Sequence, residues 1–132
     1  MFTEARSSGH LWVALSPSGE CVGFALVEPS GERLHLEELA VLLDHGGRGV
    51  GTALVRAVER WAAAHCYAEL TLTTYLDVPW SGPFYRRLGF TVVPPENLDA
   101  GLAARLEAEA ARGMDSMPRV AMRKSPGRPA ST

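Results

Sequence analysis

The run Leu34 to Leu54, LHLEELAVLLDHGGRGVGTAL, constrains this chain more than any other segment. An apolar strand pattern leads into four glycines within six residues (Gly46, Gly47, Gly49 and Gly51), and an amphipathic helix pattern follows at once. A helix entered this way leaves its first N–H groups without intrahelical partners. Those donors lie at the positive end of the helix dipole, so the segment predicts a cradle for an anion such as a pyrophosphate.

The flanking patterns supply the fold. Leu11 to Leu15 (LWVAL), Cys21 to Glu28 (CVGFALVE) and Arg33 to Leu42 read as strands. SPSGE and Pro29-Ser30-Gly31 separate them, and turns that tight between apolar runs predict an antiparallel meander. In the helix after the glycines, Val50, Leu54, Ala57, Val58 and Trp61 share one face, while Arg56, Glu59 and Arg60 lie off it. That helix ends near His65. Glu69 to Tyr75 (ELTLTTY) is a Thr-rich alternating strand. Strand, helix, strand is a crossover, so this strand is expected to run parallel to the one before the glycines.

Ser81 then offers an N-cap for a short helix and Gly89 a C′ residue. Phe90 to Val93 reads as a strand stopped by Pro94-Pro95, Ala100 to Arg112 as a helix with Leu102 and Leu106 on one face, and Val120 to Met122 as part of a last strand. The order βββ-α-β-α-β-α-β predicts an α+β domain. Its mixed, mostly antiparallel central sheet carries a parallel pair at its centre and helices at its flanks.

Composition excludes several classes of function. The chain has 132 residues, 46% apolar and 21% charged, as one ordinary globular domain has. The expected domain is 1–124, with 125–132 (SPGRPAST) as a disordered tail, and the short basic run Arg123, Lys124 and Arg128 at this end of the chain reads as frayed and solvated. A net charge of -2 gives no footprint for nucleic acid. No apolar window is long enough to span a membrane, and the N-terminus lacks the apolar stretch of a signal peptide. Cys21 and Cys66 have no paired spacing, and two reduced, buried cysteines suit a cytoplasmic protein. His35, His45 and His65 lie on different elements without ligand spacing, so no metal site is expected.

Two phosphate loops can be tested on the glycines. GGRGVGT lacks the lysine of a Walker A loop, which argues against nucleoside triphosphate hydrolysis. Gly49 and Gly51 are followed by Leu54 where a dinucleotide fingerprint needs its third glycine. A purely structural glycine turn stays open on these residues alone.

Residues 39 to 54, LAVLLDHGGRGVGTAL, resemble the acyl-CoA-binding motif of the GNAT superfamily of N-acetyltransferases, Q/R-x-x-G-x-G/A after a strand ending in an apolar triplet. FYRRLGF, residues 84 to 90, is similar to that family's second signature, a short helix with a tyrosine and then Gly-Phe entering a strand. The two occur in the family's order, and the resemblance covers roughly residues 11 to 124. It implies acetyl-CoA as co-substrate, held in a splay between the two central strands, and direct attack by a primary amine of a small molecule or peptide.

Carried over residue by residue, the resemblance gives Gly46, Gly47, Arg48, Gly49, Val50, Gly51 and Thr52 the pyrophosphate, through backbone N–H groups. Leu39, Ala40 and Val41 would offer backbone groups to the pantetheine arm and the acetyl carbonyl, where an N–H stabilises the developing oxyanion. Tyr85 matches the tyrosine that protonates the departing thiolate. A packed tyrosine beside Phe84 and Leu88 is the plainer alternative. The amine must first lose a proton. The Glu37-Glu38-Leu39-Ala40-Val41 run resembles the acidic pair of polyamine-type members, which makes Glu37 the first candidate for the base. His35, eleven residues before Gly46, is the second. Simple alternation places His35, Glu37 and Leu39 on one face and Leu36, Glu38 and Ala40 on the other. Asp77 and Trp80 could wall the acceptor pocket.

Three departures from the family pattern stand out. Gly46 replaces the usual Gln or Arg, Val78 stands where many members have Asn, and the usual first strand and two helices are not evident before Leu11. The last of these leaves a second reading open, a non-catalytic CoA-binding or dimerising module of the same fold. An uncovered edge strand would favour a homodimer.

Overall fold

The structure, a computed structural model, describes residues 3–7, 10–42, 49–75, 81–111 and 119–126. The chain divides into two compact units, Met1–Leu70 with Ser125–Thr132, and Thr71–Lys124.

In the first unit four strands form an antiparallel meander: β1 (Thr3–Ser7), β2 (Leu11–Leu15), β3 (Cys21–Ser30) and β4 (Arg33–Val41). β1 corrects the sequence reading, which has no strand before Leu11. Its TEARS sequence has neither alternation nor β-branched apolar residues, and it becomes a strand by pairing along its whole length with β2, from Thr3↔Leu15 to Ser7↔Leu11. Between Ser30 and Arg33 the hairpin loop is two residues long, and Gly31 takes φ +62 at the first of them, as a primed turn demands.

Helix α1 (Val50–Ala64) packs on the face of the meander that carries Trp12, Ala14, Gly23, Ala25 and Val27. Its buried residues include Val50, Leu54, Ala57 and Val58, as periodicity requires. Trp61 meets Trp12 edge to face at 5.5 Å and stacks on His65 at 4.1 Å. Glu59 departs from expectation, being only 9% exposed. Arg56 Nη1 reaches its Oε1 at 2.9 Å one turn earlier on the helix, which offsets the cost of burying the carboxylate.

β3 sits very close to its neighbours at Gly23. A Cβ there would lie 2.8 Å from the Ala40 carbonyl oxygen and 3.2 Å from Val50 Cγ1. The strand after α1, β5 (Glu69–Tyr75), starts beside the start of β4. Ala68 N–H donates to Glu32 O at 2.8 Å, and Arg33 Nε bridges Glu69 Oε1 at 3.1 Å. Two strands that begin side by side on either side of a helix run parallel, as the crossover predicts.

The second unit holds the rest of β5, α2 (Gly82–Arg87), β6 (Thr91–Val92), a 3-10 turn at Pro95–Asn97, α3 (Ala100–Ala111) and β7 (Arg119–Lys124). Its strand order is β5-β7-β6, with β6 and β7 antiparallel. The strand expected over Phe90 to Val93 is only two residues long, because Pro94-Pro95 turn the chain away. Val93, Leu102 and Ala121 form a small core with Leu98 and Leu106 against it. Asp99 caps α3 by accepting from Leu102 N–H at 2.8 Å.

α3 is tied to the strands by a polar cluster. Glu109 accepts from Thr73 Oγ1 at 2.9 Å and from Arg119 Nε at 3.0 Å, and the Arg119 guanidinium lies 4.5 Å from the centre of the Tyr75 ring. The architecture is the expected α+β arrangement of antiparallel pairs, a parallel β4/β5 start and helices. Cys21 and Cys66 are both free thiols, as expected, but both are exposed rather than buried. Cys66 sits at φ +59 just beyond α1, where the chain must turn out of the helix. Among the described residues no helix is long and apolar enough to cross a membrane, and no three His, Cys, Asp or Glu are grouped to hold a metal.

Candidate active site

The described part of the glycine segment is the entry to α1. Gly49 is the N-cap residue, at φ +80 and ψ 8, a left-handed conformation that glycine adopts without penalty. Its carbonyl accepts the Ala53 N–H at 2.9 Å, the first intrahelical bond. The N–H groups of Val50, Gly51 and Thr52 precede that bond and have no carbonyl one turn back. Gly49 has no side chain to cap them, and the first turn carries no acidic residue. The N-terminus of this 15-residue helix carries the positive end of its dipole, which favours an anion. Val50 can contribute only its backbone, since its side chain is buried under β3. Gly46, Gly47 and Arg48 lie outside the described residues, as do His45, Asp77, Val78, Trp80, Arg112 and residues 127–132.

On β4 the structure overturns the alternation assumed above. Pairing steps from Val27↔Leu36 directly to Leu26↔Glu38, so Glu37 is the extra residue of a β-bulge. Beyond it the faces exchange. Leu39 pairs with Ala25 and so shares the α1 side with Leu36, while Glu38 and Ala40 join His35 on the opposite side. His35, Glu37 and Leu39 are thus not one face. His35 is 3% exposed across from Glu28, whereas Glu37 and Glu38 stand exposed at the bulge. Leu39, Ala40 and Val41 are half-buried and pair with Ala25, Phe24 and Gly23.

Tyr85 belongs to the second unit. It lies on α2, is 9% exposed, and its ring meets Phe84 at 5.1 Å and Phe90 at 5.6 Å, both edge to face. Burial disfavours the phenolate and pushes the phenol from 10.0 up to about 12. The hydroxyl is therefore protonated at every physiological pH.

α2 has six residues, too few to hold a helix unaided. It is held at both ends instead. Ser81 stands at the N-cap as expected, but its hydroxyl makes no cap. It bonds Thr74 Oγ1 and accepts the Tyr75 N–H at 3.2 Å, both on β5. At the other end Lys124 Nζ donates to Leu88 O at 2.6 Å, and Gly89 turns the chain at φ +100. Lys124 is therefore a structural cation on β7 rather than part of a solvated tail. Nothing in the sequence around Lys124 or Thr74 marks either partner: Lys124 reaches a carbonyl 36 residues away, and Thr74 meets its partner only because the chain folds back between β5 and α2.

Comparison with known proteins follows the same lines. The model of the acetyltransferase (GNAT) family matches residues 2–90. Aminoglycoside N(6')-acetyltransferase type 1 of Klebsiella aerogenes is 35% identical over 89 residues, 61% of this chain and 59% of that protein. Streptothricin acetyltransferase of Streptomyces lavendulae is 33% identical over 85 residues, 60% of this chain and 43% of that protein. The chain thus spans about half the length of these relatives. The crystal structure of nourseothricin acetyltransferase superposes with a TM-score of 0.71 at 28% identity, covering 89% of this chain and 65% of that one. PaiA N-acetyltransferase from Thermoplasma acidophilum, solved with coenzyme A, gives a TM-score of 0.64 at 17% identity, covering 87% of this chain and 59% of that one, a likeness of fold.

Proposed function

This chain belongs to the acetyltransferase (GNAT) family, and from that premise we infer that it transfers the acetyl group of acetyl-CoA to a primary amine of a small cationic molecule. The observation that carries the reading is the entry to α1 at Gly49, whose left-handed backbone leads into the first N–H groups of the helix. Three consecutive backbone donors and the helix dipole suit the pyrophosphate of coenzyme A, and the likeness of the glycine run to the family motif gives Gly46, Gly47 and Arg48 a share in holding it. The β4 backbone at Leu39, Ala40 and Val41 aligns the pantetheine arm and the acetyl carbonyl.

As the C–N bond forms at the acetyl carbon and the C–S bond breaks, one N–H proton leaves the nitrogen to solvent with amide formation; before that attack the acceptor's ammonium must lose another proton. Glu37 takes that proton. Its exposure at the bulge supports this choice over His35, which is buried. Tyr85 serves the departing sulfur, and magnitudes define how. A thiol ordinarily titrates near 8.5, whereas this phenol titrates at about 12. Complete transfer of the phenol proton to a free thiolate is thus uphill by roughly three to four pH units. Tyr85 therefore acts as a fixed hydrogen-bond donor to the sulfur as negative charge develops there, and solvent supplies the thiol proton after release.

The names of two relatives, which specify aminoglycoside and streptothricin, support a small-molecule acceptor, and exposed Glu37 and Glu38 support a cationic one. The test is incubation with acetyl-CoA and a panel of aminoglycosides, streptothricins, polyamines and peptide N-termini, with products read by mass spectrometry. At least one small cationic amine should gain a single acetyl group. Saturable acetyl-CoA binding with no acetylated product across the panel overturns the enzymatic reading in favour of a CoA-binding module.

A further inference from the structure

We propose that Ser81, with Thr74 as its partner, is a positioning residue that sets the Tyr85 hydroxyl for its work at the departing sulfur, an inference that rests on the role given to Tyr85 above. The argument starts from what the Ser81 hydroxyl does not do. A serine at an N-cap ordinarily accepts a hydrogen bond from the second or third N–H of its helix. Here that bond is absent, although α2 is short and in need of it. The hydroxyl is turned to β5, where it bonds Thr74 Oγ1 and accepts the Tyr75 N–H at 3.2 Å.

The Ser81 carbonyl meanwhile accepts the N–H of Tyr85 at 3.0 Å. One residue therefore joins the end of a strand to the backbone of the proposed hydrogen-bond donor, four positions away. Both hydroxyls of the tie are buried, with Ser81 at 7% and Thr74 at 5% exposure, so water does not compete for them. The opposite end of α2 is fixed by Lys124 on Leu88 O, so loosening Ser81 lets the helix pivot about its C-terminal end. Hydrogen-bond stabilisation of a developing charge is steep in distance, and a displacement of about 1 Å can cost as much as a hundredfold in rate.

Ser81→Ala keeps the backbone and the core but cuts the tie. It should lower kcat roughly tenfold while changing the KM for acetyl-CoA by less than about twofold. Thr74→Val should do the same from the other side, and Thr74→Ser, which restores the hydroxyl, should recover most of the loss. The decisive measurement is a double-mutant cycle with Tyr85→Phe. If Ser81 acts through Tyr85, then Ser81→Ala costs nothing further once the phenol hydroxyl is gone.

Full additivity in that cycle overturns the proposal, as does an unchanged kcat in Ser81→Ala. Loss of folding in both Ser81→Ala and Thr74→Val would show a purely structural tie and overturn it too. An intact kcat in Tyr85→Phe instead sinks the role assigned to Tyr85, and that outcome is read independently of Ser81.

Discussion

At the scale of single residues, burial and hydrogen bonding decide which side chains can act and how. Tyr85 is kept neutral by its apolar surroundings, so it can donate but not readily ionise. Tyr85→Phe should lower kcat roughly ten- to a hundredfold and leave acetyl-CoA affinity nearly unchanged, measured by steady-state kinetics beside calorimetric titration. The same burial has a consequence for stability. The unfolded chain ionises this phenol above pH 10, while the folded chain holds its proton until about pH 12. The contribution is thus complete below pH 10 and lost as pH rises to about 12, a loss on the order of 2 kcal/mol. Urea unfolding across that range should show it in the wild type, and Tyr85→Phe should lack that component. Glu37→Gln removes the proposed base without changing its size. A fall in kcat/KM of roughly tenfold or more at neutral pH is expected, with the wild-type acidic limb gone from the pH–rate profile. An unaltered acidic limb would move the base elsewhere.

At the scale of elements, the strands and helices were legible wherever burial enforces a period. The face of α1 and the Leu102–Leu106 stripe of α3 follow directly from the spacing of apolar residues. What escaped was set by partners distant in sequence. β1 is polar and owes its conformation to β2. The bulge at Glu37 arises where β3 and β4 fall out of step, and no residue type announces it, so simple alternation puts the faces of β4 beyond it the wrong way round. Glu59 reads as a solvated position by its type, yet Arg56 lets it be buried. Of the proposed site, the glycine run and Tyr85 stand in the sequence as motifs, whereas the Ser81–Thr74 tie does not, because an N-cap serine gives no hint that its hydroxyl will turn elsewhere. Gly23 is the element-scale pinch point. Gly23→Ala should destabilise the protein by about 1–3 kcal/mol, since the new methyl meets a backbone oxygen that cannot yield. Denaturant titration measures this, and stability equal to wild type would mean that β3 and α1 can separate cheaply.

For the whole molecule, the relevant quantity is what occupancy does to the folded state. A ligand that binds only the folded chain raises its stability by about 2.7 kcal/mol at a hundred times Kd. Acetyl-CoA should therefore raise the melting temperature in a concentration-dependent way, with Kd obtained separately by calorimetry. ATP, for which the loop lacks a lysine, should raise it far less at equal concentration. The two exposed cysteines bear on how turnover of this molecule can be observed at all. Colorimetric reagents that count liberated coenzyme A react with any accessible sulfhydryl. Each protein molecule brings two of its own, at Cys21 and Cys66, so a slow acceptor would be hidden under a stoichiometric burst that mimics product. A Cys21→Ser/Cys66→Ser protein, or a readout of the acetylated amine itself, removes that artefact and leaves any remaining colour to the reaction.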